Sequence, residues 1–199
     1  MNIVIIKYNA GNIRSVNNAL LRLGHSAEIT ADPEKITRAD KVIFPGVGEA
    51  STTMKYLRET GLDNLIKELK QPVLGICLGM QLMCSHSEEG DATCLNIFDE
   101  QVRRFQLPQP NPGNLKVPQM GWNQIYDLKS DLFDASLEGQ YVYFVHSYYV
   151  AMGHDTAATT DYVLPYSSAL QKDNFFATQF HPEKSGKAGE KILSNFLNL

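Results

Sequence analysis

The sequence predicts an α/β fold: a central, mostly parallel sheet with helices on both faces, of flavodoxin-like type, with a small antiparallel addition. Three observations carry that prediction. Short apolar runs alternate with stretches of helical periodicity through the first half of the chain. The runs are nearly continuously apolar, as strands covered on both faces are. At 199 residues with 43% hydrophobic content, the chain can build one core of that kind. No internal repeat, low-complexity tract or linker divides it, so residues 1–199 read as one domain.

Taken in order, Ile3–Ile6 is a buried-strand candidate. Asn12 can cap a helix that carries Ile13, Val16, Leu20 and Leu23 on one stripe and ends at Gly24. Ala27–Thr30 is a second strand and residues 41–44 a third, closed by Pro45-Gly46-Val47-Gly48. A helix bearing Met54 and Leu57 stops at Gly61, and residues 62–69 continue helically. Residues 73–76 form the fourth strand, and a run of helical character, 78–85, follows it. Residues 88–121 are rich in Pro, Gly, Asn and acidic side chains and predict no defined element. Residues 141–150 predict one long strand from their aromatic and β-branched content. Residues 167–171 and 175–179 predict a hairpin around Lys172-Asp173-Asn174. Ile192, Leu193, Phe196 and Leu197 mark the apolar face of a last helix.

Composition excludes several classes. A net charge of −4 and a pI near 5.7 leave no basic footprint for nucleic acid. No apolar stretch is long enough to span a membrane, and the first residues lack the features of a signal peptide. Three cysteines, Cys77, Cys84 and Cys94, are an odd and sparse set that suits a reducing cytoplasm. None is spaced C-x-x-C, so neither a metal site nor a cofactor is expected.

The chemistry concentrates at Gly75-Ile76-Cys77-Leu78-Gly79-Met80-Gln81. A cysteine between glycines, at a strand-to-helix junction, is a thiol version of the nucleophile elbow. The turn would set the thiol on the first turn of a helix, where backbone N–H groups and the helix dipole favour a thiolate. Directly after the 175–179 strand comes Phe180-His181-Pro182-Glu183. His181 can serve as the base and Glu183 as its orienting partner, a triad by role. Gly46-Val47-Gly48 can offer backbone N–H groups to an oxyanion, joined by the N–H of Leu78. Cys84 and Cys94 read as small buried hydrophobes. His25, His86 and His154 read as surface or loop residues, and His146 suits packing as well as binding. The aromatics of the 141–149 run are mostly packing residues.

Together, Pro45-Gly46-Val47-Gly48, Gly75 to Gln81 and His181-Pro182-Glu183 resemble the class I glutamine amidotransferases, in matching order and over nearly the whole chain. Three further stretches are similar to the glutaminase subunits of imidazole glycerol phosphate synthase: Tyr8 to Val16, Lys116 to Asn123 and Phe144 to Tyr149. The resemblance implies that Cys77 attacks the side-chain amide of glutamine and that His181 relays the proton to departing ammonia. It implies a glutamine pocket at Gly48, Gln81, Ser147 and Tyr148. It also implies a heterodimer with a (β/α)8-barrel cyclase subunit, HisF, which receives the ammonia. Trp122, Tyr143 and Lys184 would lie near that interface and the ammonia passage, with Asn12 and Arg14 as further interface candidates. The oxyanion loop around Val47 would stay misaligned until the partner reports its nucleotide ligand, so the isolated chain would hydrolyse glutamine poorly. Two positions depart from the pattern: Lys7-Tyr8-Asn9 stands where Asp-Tyr-Gly is commoner, and Gln119 where His is common. Asn9 can keep a left-handed turn. Glutaminase subunits serving other pathways share the triad, and a non-catalytic module of the same fold is the alternative of a different class. The intact Cys77, His181 and Glu183 speak against the latter.

Overall fold

The structure, a computed structural model, describes residues 1–8, 12–111 and 113–199. The turn expected at Asn9 lies outside the described residues. The first half alternates as its hydrophobic pattern requires: β1 (Ile3–Ile6), α1 (Ile13–Arg22), β2 (Ala27–Thr30), α2 (Pro33–Thr37), β3 (Lys41–Gly46), α3 (Ala50–Thr60), α4 (Leu62–Glu68), β4 (Val73–Cys77) and α5 (Leu78–Met83). Of these, α2 alone has no counterpart in the hydrophobic pattern. It is too short to show a period, and it is set by its start: Pro33 opens it, and the Asp32 carboxylate accepts from the Glu34 N–H at 2.9 Å. Asn12 stands at the start of α1 but in a left-handed conformation (φ 72°), and its side chain makes no cap bond, contrary to the sequence expectation.

The second half is richer in strands: β5 (His86–Ser87), β6 (Ala92–Thr93), β7 (Gln101–Arg104), β8 (Gln119–Gln124), β9 (Tyr141–His146), β10 (Tyr148–Val150), β11 (Thr156–Asp161), β12 (Pro165–Lys172) and β13 (Phe175–Thr178), before α6 (Gly186–Leu197). The expected hairpin is β12–β13, in register Lys172↔Phe175, with Asp173 taking the left-handed turn position (φ 51°). The single strand expected over 141–150 is two strands in two sheets. Its inward phase runs through Val142, Phe144 and His146, but then Tyr149 and Val150 are buried, so the two-residue alternation breaks at Ser147. Composition is alike on both sides of the break and could not reveal it.

In the main sheet β2, β1, β3, β4 and β13 are neighbours in that order and all parallel. The order continues through β12, β10, β7, β5 and β6, largely antiparallel, with β11 paired to β12. β8 and β9 make the separate antiparallel pair. Side chains of β1 alternate between two apolar layers. Val4 and Ile6 meet Met54, Leu57 and Ile66 of α3 and α4, whereas Ile3 and Ile5 meet Val16, Leu20, Ile192 and Phe196 of α1 and α6. β1, β3, β4 and β13 are buried on both faces, which accounts for their largely apolar runs, whereas the edge strand β2 is half-exposed. The carboxyl ends of β3, β4 and β13 fall side by side, the edge where ligands gather in such sheets.

Candidate active site

Cys77 ends β4 and leads directly into α5. Its backbone sits at φ 55°, ψ −108°, a region a side-chain-bearing residue rarely occupies. Such a residue costs on the order of 1–3 kcal/mol and persists only where its surroundings enforce it. Here the enforcing contact is between α5 and β3. A Cβ added at Gly79 would stand 1.9 Å from the Phe44 carbonyl oxygen, and one at Gly46 would stand 2.9 Å from the Leu78 Cβ. The helix therefore lies against the end of β3 at a distance only glycine permits. Gly46 is register partner to Cys77, so the 46–48 loop leaves the sheet beside the thiol.

His181 follows β13 closely, and its backbone N–H donates to the Tyr143 carbonyl of β9 at 2.9 Å. The ring is buried, with Nδ1 2.8 Å from Glu183 Oε1. A carboxylate only accepts, so Nδ1 carries the proton and Nε2 is left for the sulfur. Burial opposes the imidazolium, but the Cys77 sulfur and the Glu183 carboxylate outweigh it and push His181 up to about 10. Among the described residues Nε2 makes no hydrogen bond, so it is left free to face the sulfur. The Asn12 side-chain amide also donates to Glu183 Oε1. Its nitrogen lies 3.4 Å from His181 Nδ1, and since both are donors, they share the carboxylate rather than bond each other.

A cavity of about 320 Å³ opens over the thiol. Of the residues singled out in the sequence, Val47, Gly48, Cys77, Leu78, Gln81, Ser147, Tyr148 and His181 line it. Gly46 lies beneath the loop, and Glu183 stands behind His181. Trp122, Tyr143 and Lys184 are not in the lining but form a cluster of their own: the Trp122 and Tyr143 rings meet edge-on at 5.9 Å, and Lys184 Nζ lies 5.9 Å over Tyr143. Arg14 is exposed on α1.

Other residues shape the site although the sequence assigns no definite role in it to them. Glu89 is the one carboxylate lining the cavity; it accepts from the Ala50 N–H at 2.9 Å, and partial burial raises its pKa. It lies in a polar stretch that shows no periodicity. Tyr8, 6% exposed, donates to the Pro45 carbonyl at 2.5 Å and packs on Phe44, bracing the loop; burial and the Cys77 charge hold its hydroxyl well above the usual tyrosine range. His146 is buried and neutral. Burial, against a bond to the Tyr148 carbonyl at 2.7 Å and aided by His181, lowers it to about 4. Gln179 is fully buried beside the thiol. Among the described residues no group of three or more His, Cys, Asp or Glu is arranged to hold a metal ion.

The comparisons agree with this geometry. The glutamine amidotransferase class-I family matches residues 4–199. The imidazole glycerol phosphate synthase subunit HisH of Bacteroides thetaiotaomicron is 64% identical over 199 residues, covering all of both chains. That of Escherichia coli K12 is 44% identical over 201 residues, again covering both fully. Among solved structures, a glutamine amidotransferase superposes with a TM-score of 0.70 at 20% identity, covering 98% of this chain and 97% of its own. PurLQS from Thermotoga maritima superposes with 0.66 at 14% identity, covering 99% and 97%. These two share the fold; the family rests on the full-length sequence matches. An elbow cysteine beneath a cavity, a histidine–glutamate pair behind it and identity sustained from end to end thus agree: the chain belongs to the class I glutamine amidotransferases, among the HisH subunits.

Proposed function

We propose that this chain is the glutaminase subunit of an imidazole glycerol phosphate synthase, with Cys77, His181 and Glu183 as its catalytic residues. The observation that carries the reading is Cys77 itself, held in a strained backbone at the mouth of a cavity and attracted to a buried histidine whose charged form is favoured. In the reaction Sγ attacks the side-chain carboxamide carbon of glutamine. Electrons move onto the oxygen, which the N–H groups of the 46–48 loop and Leu78 receive. The C–N bond then breaks, and His181 gives its proton to the departing ammonia, leaving a glutamyl thioester. Neutral His181 next takes a proton from water, and hydrolysis releases glutamate and frees the sulfur. The Glu183 carboxylate keeps the imidazole oriented through both steps. Glu89 supplies a negative charge suited to the α-ammonium of glutamine, in the same cavity as Ser147 and Tyr148.

The ammonia passes to a partner cyclase subunit, HisF. Supporting that partner is an apolar face on the β8–β9 hairpin, where Met120, Trp122 and Tyr141 are each more than half exposed. The sparse, odd set of three cysteines accords with a cytoplasmic setting. Cys77→Ala is the test. Glutamate release should fall to background with the partner present, while the partner's reaction with added ammonium stays intact. Glutamate release at the native rate would refute the nucleophile; loss of the ammonium-dependent reaction would refute the division of labour. Comparing the native chain alone and with partner and ligand tests the gating expectation, which full turnover by the chain alone would overturn.

A further inference from the structure

Beside the triad lies a second set of contacts to the nucleophile, made by amides. Gln81 on α5 and Gln179 just past β13 are both buried, and their side chains meet: Gln81 Nε2 donates to Gln179 Oε1 at 2.9 Å and to the Tyr148 carbonyl at 3.0 Å. The Tyr148 carbonyl can only accept, so the Gln81 group facing it has to be the NH2. That in turn fixes the second amide. The Gln179 atom turned to Gln81 is its oxygen, so the atom turned to the sulfur is its NH2, 3.7 Å from Cys77 Sγ. The Tyr148 carbonyl is itself held by His146 Nδ1 at 2.7 Å, so the orientation does not rest on one bond. The Gln179 backbone is tied as well, its N–H donating to the Ser168 carbonyl at 2.8 Å.

We propose that Gln179 is a further residue of the glutaminase site: its side-chain amide, locked by Gln81, donates a hydrogen bond to the Cys77 sulfur, which favours the thiolate and aims it into the cavity. The proposal rests on the glutaminase reading but concerns the thiol alone. A donor facing sulfur stabilises its charged form and loses most of its value once sulfur is protonated. It also restrains the sulfur independently of His181, whose Nε2 makes no hydrogen bond in this arrangement. Gln81 then has two duties: it lines the cavity and it sets the direction of Gln179. The titratable groups around the thiol are His181, Tyr8, and across the cavity His146 and Glu89; the variants below alter none of them.

The test is alkylation of the full-length chain by iodoacetamide, followed by mass spectrometry at Cys77 across pH. Cys84 and Cys94 stay silent at neutral pH, because burial pushes the first well above the usual thiol range and the second up to about 11. Gln179→Met keeps length and apolar fit but removes the donor. On the rising limb of the pH profile its alkylation rate should fall about tenfold. Gln81→Met leaves Gln179 in place but unlocks its amide, and should give a smaller fall in the same direction. A folded Q179M chain with the native rate and profile overturns the proposal. If Q179M does not fold, Q81M decides: the native profile there also overturns it. Because no glutamine is used, a failure here leaves the glutaminase reading standing, whereas a failure of the C77A experiment would remove the glutaminase role and leave only the contact to sulfur.

Discussion

Gly79→Ala sets helix propensity against packing in a single methyl group. Alanine is worth at most about 1 kcal/mol over glycine, the helix-interior figure, and Gly79 lies in the first turn of α5, so propensity alone makes the variant slightly more stable. The contact geometry opposes it. The new Cβ would stand 1.9 Å from the Phe44 carbonyl oxygen, whereas real Cβ contacts do not fall below 3.0 Å, so α5 and β3 would have to part by about 1.1 Å. The obstacle is backbone of a strand paired on both sides, to β1 and β4, and it cannot swing aside as a side chain could. Overpacking of this kind costs on the order of 1–3 kcal/mol, which outweighs the propensity gain. The functional cost should be larger. Cys77 and Leu78 lead α5 while Gly46 ends β3, so the same displacement moves the thiol relative to the oxyanion loop. A misplacement near 1 Å typically costs on the order of 100-fold in rate. Urea denaturation and glutaminase turnover with saturating partner measure both. A G79A chain at least as stable as the native protein, with unchanged turnover, would refute the account of why the elbow needs glycine.

Two histidines give stability opposite pH slopes. His146, buried neutral and lowered to about 4, binds its proton only in the unfolded chain between that value and about 6.5, so stability should rise with pH across this window; His146→Asn should flatten the rise in urea midpoints. His181, pushed up to about 10, contributes stability that is complete below about pH 6.5 and is lost as pH climbs towards 10, which midpoints taken from pH 7 to 10 should show. Asn12→Ala removes one of the two donors to the buried Glu183 oxygen, a bond to a charged group worth about 1.5–3 kcal/mol; turnover should drop with little change in KM, and a shift in KM alone would refute the positioning role. Trp122→Ala should weaken association with the partner cyclase by about 2 kcal/mol in calorimetry, and an unaltered Kd would remove Trp122 from the interface.

The inner strands of the parallel block, β1, β3, β4 and β13, were legible because they are buried on both faces, and apolar runs between turn residues have few other uses; the edge strand β2 is half-exposed. The elbow was legible for a related reason. Glycines at 46 and 79 record close approaches of α5 to β3 that no other residue allows, so this contact leaves its mark in the sequence. Glu183 could be read as the partner of His181 because only Pro182 separates them. Other parts had no local signature. Ser147 ends one sheet and starts another with no change in composition, and Asn12 looks like a helix cap while its side chain reaches a glutamate 171 positions away. Gln179 appears in the sequence as the end of a strand. Only the approach of β4 and β13 side by side brings its amide to the thiol.

That same topology separates the two reacting groups. The thiol belongs to β4 and α5, clamped to β3 by glycine contacts. The base belongs, through its backbone, to the β8–β9 hairpin. The His181 N–H donates to the Tyr143 carbonyl at 2.9 Å, the Tyr143 N–H donates to Ser185 Oγ at 2.9 Å, and that hydroxyl donates back to the His181 carbonyl at 2.7 Å. The end of β9 and the residues after it, Val145 to Tyr148, line the cavity wall. A movement of the β8–β9 pair would therefore carry the base and reshape the pocket wall together. The hairpin also presents Met120, Trp122 and Tyr141 to solvent. A subunit seated on those side chains would therefore bear on the base and the pocket at once.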